Sequence, residues 1–166
     1  KTNGQAKFAD EVYRYGDGRA KILDIKILDN SHKVTTQIEY KQDFFIQASI
    51  QFETSLSTFC TGYLIKDLKG IELIGTTTVT ENIDMPAVEA GEIYVIEAKT
   101  TNILNEGIYT VVFGVEIPVM PNEQHIYLDV VDNSVVFKVN PPKNPMHKFW
   151  SRTYAPVEIE FSKVRN

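Results

Sequence analysis

The stretch that decides the fold class runs from residue 44 to residue 52 and reads FFIQASIQF. Every second residue in it is apolar, namely Phe44, Ile46, Ala48, Ile50 and Phe52. Most of the residues between them are polar. Because successive side chains of a β-strand point to opposite faces, this alternation predicts a strand with one buried face and one solvated face.

Segments of the same kind recur at roughly ten-residue spacing on both sides of this stretch. In addition to 44–52, the predicted strands cover residues 20–28, 34–40, 59–68, 71–78, 92–103, 108–118, 125–131, 134–139 and 157–164. Turns at 67–70 and at Asp132-Asn133 each predict a hairpin. No segment has a helical period, so we expect an all-β antiparallel sandwich, immunoglobulin-like or jelly-roll, of eight to ten strands.

The composition supports the same fold class. Sixty-five of the 166 residues are β-branched or aromatic, whereas Ala and Leu together contribute only 16. A helical bundle needs the opposite balance.

Three regions follow from the pattern. Residues 1–19 are polar and glycine-containing and predict an entry segment and turn; residues 20–140 predict the sandwich; residues 141–166 predict a proline-rich linker with a last strand. Such a linker allows the last strand to pair within its own chain or to exchange with a second copy, and the feature alone favours neither.

The charge balance and the missing motifs exclude several function classes. The net charge of −5 argues against a nucleic-acid-binding or membrane-surface protein. The single cysteine, Cys60, excludes an internal disulfide framework and a cysteine-rich zinc site. The sequence contains no P-loop, no HExxH motif and no nucleophile elbow, and we expect no cofactor and no metal. The chain begins at Lys1 without an initiator methionine or a signal segment, which indicates a fragment or a processed chain.

The best candidate for a binding surface lies on the outward face of the segment 125–131. If Ile126, Leu128 and Val130 face the core, the outward stripe consists of His125, Tyr127 and Asp129. Imidazole, phenol and carboxylate groups suit a sugar, which presents C–H faces and hydroxyls.

The neighbouring predicted strands extend this surface. On 108–118 the outward set includes Thr110 and Glu116, separated by small residues that predict a shallow trough. A two-residue turn at 132–133 places Lys138 opposite Tyr127. For each member of the stripe the alternative is an ordinary solvated side chain, and Asp129 is also placed to support the turn.

Trp150, the only tryptophan, lies in the proline-flanked linker close to Arg152. One interpretation is a sugar platform in which Arg152 meets an acidic substituent. The interpretation that we favour is an anchor that fixes the tail on the sandwich or on a second protomer, because large aromatic side chains usually contribute by burial.

Several stretches resemble the C-terminal domain of Wzt-type subunits, the ATP-binding components of ABC transporters that export bacterial O-antigen polysaccharide. They are 14–22 (RYGDGRAKI), 62–67 (GYLIKD) with Gly70, 74–78 (IGTTT) and 107–110 (GIYT). Their order and spacing match over roughly residues 10–140. The sequence departs from the family pattern at Ile74, where the family often has Phe, and in its longer proline-rich tail.

The resemblance implies a non-catalytic β-sandwich that binds O-antigen polysaccharide and reads the modification at its non-reducing end. It also implies a homodimer, with exchange of the last strand, and partners in the transporter's membrane subunit and in a nucleotide-binding domain preceding Lys1. The implied location is cytoplasmic, at the inner face of the inner membrane. A protein–protein interaction sandwich and, further behind, a carbohydrate-active enzyme remain the alternatives.

Overall fold

The stretch 44–52 forms the middle strand of a three-stranded sheet in the computed structural model, which describes residues 12–164. Numbered in chain order, the strands of the described residues are β1 (Tyr13–Tyr15), β2 (Ala20–Leu28), β3 (Gln37–Ile38), β4 (Phe44–Phe52), β5 (Cys60–Asp67), β6 (Glu72–Thr77), β7 (Ile93–Thr100), β8 (Gly107–Ile117) and β9 (Ile126–Val139). A single 3₁₀ turn, Pro145–His147, is the only helical element of that part of the chain. The predicted all-β sandwich is confirmed.

Two sheets make up the sandwich. The smaller sheet has the order β2-β4-β7, and the larger has the order β1-β9-β8-β5-β6, with β3 also paired to β9. The β3–β9 pair is parallel, whereas the other pairs are antiparallel. Among the described residues, β6 and β7 each end a sheet, and residues of both line one cavity, so these two edges lie on the same side of the sandwich.

The core lies between the sheets and is built from the alternating apolar residues. Phe44 of β4 packs against Phe137 of β9, with ring centroids 5.4 Å apart, and so joins the two layers. Phe52 makes a similar contact with Phe59 at 4.7 Å. Burial of such side chains, at about 25 cal/mol per Å² of apolar surface, is the main force that holds the layers together.

The turn predicted at residues 67–70 is present. The Oδ1 atom of Asp67 accepts hydrogen bonds from the backbone N–H groups of Lys69 and Ile71, both at 2.9 Å. These donors, Ile71 first, hold the pKa of Asp67 below its usual value. Gly70 has a φ of 81°, a conformation that glycine adopts without strain.

The prediction of a hairpin at Asp132-Asn133 is wrong. Strand β9 continues from Ile126 to Val139, and its register with β8 shifts between Val111 and Phe113. Asn133 has a φ of 53°, so the two residues form a bulge and not a turn. Asparagine tolerates a positive φ in a hairpin turn and in a bulge alike, so the sequence pattern does not distinguish the two.

Two further departures concern the ends of the chain. Strand β1 lies within the expected entry segment and pairs with β9, whereas residues 1–11 of that segment are outside the described residues. The predicted strand at 157–164 is wrong for the single chain, because these residues form no strand and Phe161 is 98% exposed. Residues 165 and 166 are also outside the described part.

Candidate functional site

The outer face of the larger sheet holds a cavity of about 370 Å³. Strands β1, β9, β8, β5 and β6 all contribute to it. Its main lining residues are Tyr15, Tyr127, His125, Glu116, Gly62 and Gly114. The cavity thus brings together three of the residues predicted from sequence, namely His125, Tyr127 and Glu116.

Glycines form the floor of this cavity. Gly62 of β5 pairs with Gly114 of β8. A Cβ atom at Gly62 would lie 2.5 Å from the carbonyl oxygen of Thr76, so the neighbouring strand leaves no room for a side chain there. A Cβ atom at Gly114 would make an ordinary contact of 3.5 Å with Cγ2 of Val130. The floor is therefore low for two reasons. At Gly62 the neighbouring backbone excludes a side chain, whereas at Gly114 a small side chain would fit but the residue is glycine.

Aromatic rings form one wall. The rings of His125 and Tyr127 stack with centroids 5.6 Å apart and an interplanar angle of 8°. Nδ1 of His125 lies 3.0 Å from a carboxylate oxygen of Glu116 on β8. This contact fixes the imidazole beside the phenol, and the wall presents a ring face together with polar atoms.

The segment after β1 holds Tyr15, the last residue of that strand, against Tyr127. The N–H groups of Asp17 and Gly18 donate to the carbonyls of Tyr127 and Leu128, both at 3.0 Å. Gly16, with a φ of 146°, lies so close to β9 that a Cβ atom would collide with the carbonyl of Leu128. Burial and the nearby Tyr127 raise the pKa of Tyr15. Its protonated phenol is a hydrogen-bond donor.

Hydroxyl groups from the β6 side form the opposite rim. Thr77 and Thr80 line the cavity there, as does Thr76, whose hydroxyl turns to the other face of β6 and donates to Glu81. The hydroxyls of Thr77 and Thr80 lie 3.0 Å apart. A ligand rich in hydroxyls would find both donors and acceptors on this rim.

Asp129 lies away from the predicted outward stripe. The register of β8 and β9 shifts between Val115 and Glu116, and this bulge turns Asp129 inward. Its side chain is 7% exposed, Oδ1 accepts from Nε of Arg14 at 2.8 Å, and Oδ2 accepts from the N–H of Ile22 at 2.6 Å. Asp129 thus ties β1 and β2 to β9, and the prediction that it faces outward is wrong.

Thr110 and Lys138 are also separate from the cavity. Thr110 is 6% exposed, and its hydroxyl oxygen has no hydrogen-bond partner among the described residues. Lys138 pairs with Ile108 and Gln37, because β9 continues past the predicted turn. The prediction that Lys138 lies opposite Tyr127 is wrong, since Tyr127 pairs with Glu116.

Trp150 and Arg152 lie at a different place, beside the turn between β5 and β6. They line a smaller cavity of about 220 Å³ together with Asp67 and Tyr109. Arg152 forms an ion pair with Asp67 at 3.2 Å. The indole of Trp150 is 91% exposed, so it does not anchor the tail on its own sandwich.

Phe149 is the residue that holds the tail on the sandwich. Its N–H donates to the hydroxyl of Tyr40 at 2.9 Å, and its ring packs against Tyr40 and Tyr154 at 5.2 and 5.3 Å. The side-chain amide of Asn105 donates to the carbonyls of Phe149 and Ser151, both at 2.9 Å. The tail is therefore fixed as far as Tyr154.

Sequence reasoning missed Tyr15 and the β6 threonines. Tyr15 lies in a glycine-containing segment that reads as a turn, and only the short pairing of β1 with β9 places it in the site. In residues 12–164 we find no group of three or more His, Cys, Asp or Glu side chains placed to hold a metal ion. That part of the chain also has no helix with the length and hydrophobicity needed to cross a membrane.

Comparison with known proteins identifies relatives of this chain. The family model of the Wzt C-terminal domain matches residues 11–150. The chain is also similar to the crystal structure of the C-terminal domain of Wzt, with a TM-score of 0.82 and 25% identity over 93% of this chain and 91% of the other. No curated protein sequence matches.

Proposed function

Since the chain belongs to the Wzt C-terminal domain family, we propose that it is a non-catalytic carbohydrate-binding domain. Its ligand is the terminally modified end of an O-antigen polysaccharide. Its role is to couple that polysaccharide to export by an ABC transporter. In this proposal the domain works at the cytoplasmic face of the inner membrane, beside the transporter's membrane subunit and a nucleotide-binding domain of its own subunit.

One observation carries the proposal: the cavity on the larger sheet combines a glycine floor with a wall of aromatic rings. A sugar ring is flat enough to lie on such a floor. Its C–H face packs against an aromatic face, such as the His125–Tyr127 stack. Its hydroxyls would meet Glu116 and the threonine rim.

The volume of the cavity supports binding of a chain end over binding of a long stretch. About 370 Å³ is near the lower bound of small-molecule sites in proteins. The wall of Tyr15 and Tyr127 closes one side of it. Affinity per site should be modest, because sugar hydroxyls give up bound water on entry.

A homodimer would raise the effective affinity of such a weak site for a polymer. The apolar residues Val157, Ile159 and Phe161 are exposed and alternate with Glu158 and Glu160. This pattern suits a strand that pairs with a second copy of the chain. In that arrangement the exposed Trp150 would pack on the partner.

Calorimetric titration with O-polysaccharide tests the proposal. We would use the polysaccharide of the host strain with its non-reducing end intact, and the same material after the terminal residue has been removed. The proposal expects heat of binding with the intact polymer and a loss of most of it with the trimmed polymer. Absence of binding to both polymers would overturn the carbohydrate-binding role.

A further inference from the structure

Strand β6 has a cavity on each of its two faces. Gly75 and Thr77 face the cavity described above, because they pair with Leu64 and Gly62, which lie on the outer face of β5. Thr76 alternates to the other face and points towards the smaller sheet. There a second cavity of about 650 Å³ lies between the edges of β6 and β7.

The two cavities are adjacent. Gly62, Tyr63, Gly75, Thr76 and Thr77 line both of them. A ligand that leaves the first cavity over the edge of β6 would therefore reach the second cavity directly.

The second cavity has the chemistry of a sugar site. Hydroxyl groups come from Thr76, Thr78, Thr100 and Thr101. The hydroxyls of Tyr63 and Thr100 lie 2.8 Å apart and hydrogen-bond to each other, and burial raises the pKa of the Tyr63 phenol.

Charged and apolar groups of the second cavity add to these hydroxyls. Its charges come from Glu81, Glu97 and Lys99, and Ile83 and Ile96 offer apolar surface for the C–H face of a sugar. The lining thus supplies both kinds of contact that a sugar ring makes.

The backbone of β6 adds further hydrogen-bonding groups. Within the described residues β6 pairs with β5 alone, so the N–H and C=O groups of its other edge face outward between the two cavities. Sugar hydroxyls can bond to such groups where they cross the strand.

We propose that the glycan crosses β6, with its end residue in the cavity of Tyr15 and Tyr127 and the residues that follow it in the second cavity. This inference rests on the proposed carbohydrate-binding function. It adds that the domain binds several sugar residues of the chain and not the end residue alone. Longer fragments should therefore bind more tightly than the end residue by itself.

The test uses fragments of the host O-polysaccharide that retain the non-reducing end and contain one, three or six sugar residues. Calorimetry on the native chain should give an affinity for the six-residue fragment about tenfold above that for the single residue. The double variant Glu81→Ala/Ile83→Ala removes two exposed side chains that line the second cavity and not the first. It should lose most of this gain and bind the single residue as the native chain does.

Val79→Ala is the matched control, because Val79 lies between Thr78 and Glu81, is exposed and lines neither cavity. It should behave as the native chain with all fragments.

Equal affinity of the native chain for one and six residues would overturn the crossing and leave the proposed function intact. Loss of dimer in Glu81→Ala/Ile83→Ala, seen by sedimentation without any change in affinity, would also overturn it, since the second cavity would then hold protein. Failure of every fragment to bind would instead refute the proposed function.

Discussion

The rings of Tyr15 and Tyr127 meet edge to face, with their centroids 5.4 Å apart and their planes at 86°. Tyr15 comes from the short edge strand β1 and Tyr127 from the long strand β9. The contact joins the two rings into one concave wall that neither strand could form alone. The proposed binding of a glycan end depends on this wall.

Tyr15→Ala should weaken binding of O-polysaccharide about tenfold, the equivalent of ~1.4 kcal/mol, because it removes one side of the wall. Calorimetry on the variant measures this. Tyr13→Ala is the comparison: Tyr13 does not line the cavity, but its ring lies 5.5 Å from that of Tyr15, so its effect should be smaller. Unchanged affinity in Tyr15→Ala would show that the wall is not part of the binding surface.

Gly114→Ala should reduce affinity while the protein keeps its stability. The added methyl group would make an ordinary 3.5 Å contact with Val130 and would raise the floor of the cavity. Gly62→Ala, by contrast, would press against the carbonyl of Thr76 at 2.5 Å and should destabilise the fold. Thermal unfolding combined with calorimetry separates the two effects. Full affinity in Gly114→Ala would mean that the ligand does not touch the floor.

Asp129→Asn should lower stability and leave binding almost unchanged. The substitution breaks a largely buried ion pair with Arg14, whose own side chain is 35% exposed, so we expect a cost of about 2 kcal/mol and not the full cost of a buried pair. Urea denaturation measures it. Asp17→Asn, in the exposed pair with Arg19, is the control and should change stability little. Lost binding at native stability would instead place the Asp129 carboxylate on the sugar.

The strands were predictable from sequence wherever one face is buried. The alternation at 44–52 is strict because β4 lies between β2 and β7 and packs one face on the core. The sequence pattern predicts two strands where the structure has the single strand β9, because Asp132-Asn133 suits a turn and a bulge equally well. That error misplaced Lys138, and the second bulge, near Glu116, misplaced Asp129.

The cavity was only partly predictable for a different reason. Tyr127 and Glu116 lie on strands whose alternation can be followed along the sequence, and His125 directly precedes β9. Tyr15 reaches them through a three-residue strand and a glycine that tolerates close contact with β9, and neither leaves a periodic pattern. The glycine floor depends on which strands are neighbours, and sequence alone does not supply this pairing.

A chain that ends at Tyr154 should be a folded monomer. The contacts of Phe149 with Tyr40 and with Tyr154 remain in it, and the shortening removes the exposed segment that follows, with its apolar residues Val157, Ile159 and Phe161. Analytical ultracentrifugation of the full and shortened chains measures the difference. A shortened chain that sediments as the same dimer would refute pairing through residues 157–164.

The most direct test of the account is the site of glycan contact. Backbone amide shifts recorded by NMR during titration with an end-intact fragment of the host O-polysaccharide would report it residue by residue. The account predicts that the largest shifts cluster at Tyr15, Gly62, Gly114, Glu116 and Tyr127. Shifts that cluster on the outer face of β2, β4 and β7, or around Trp150, would contradict it.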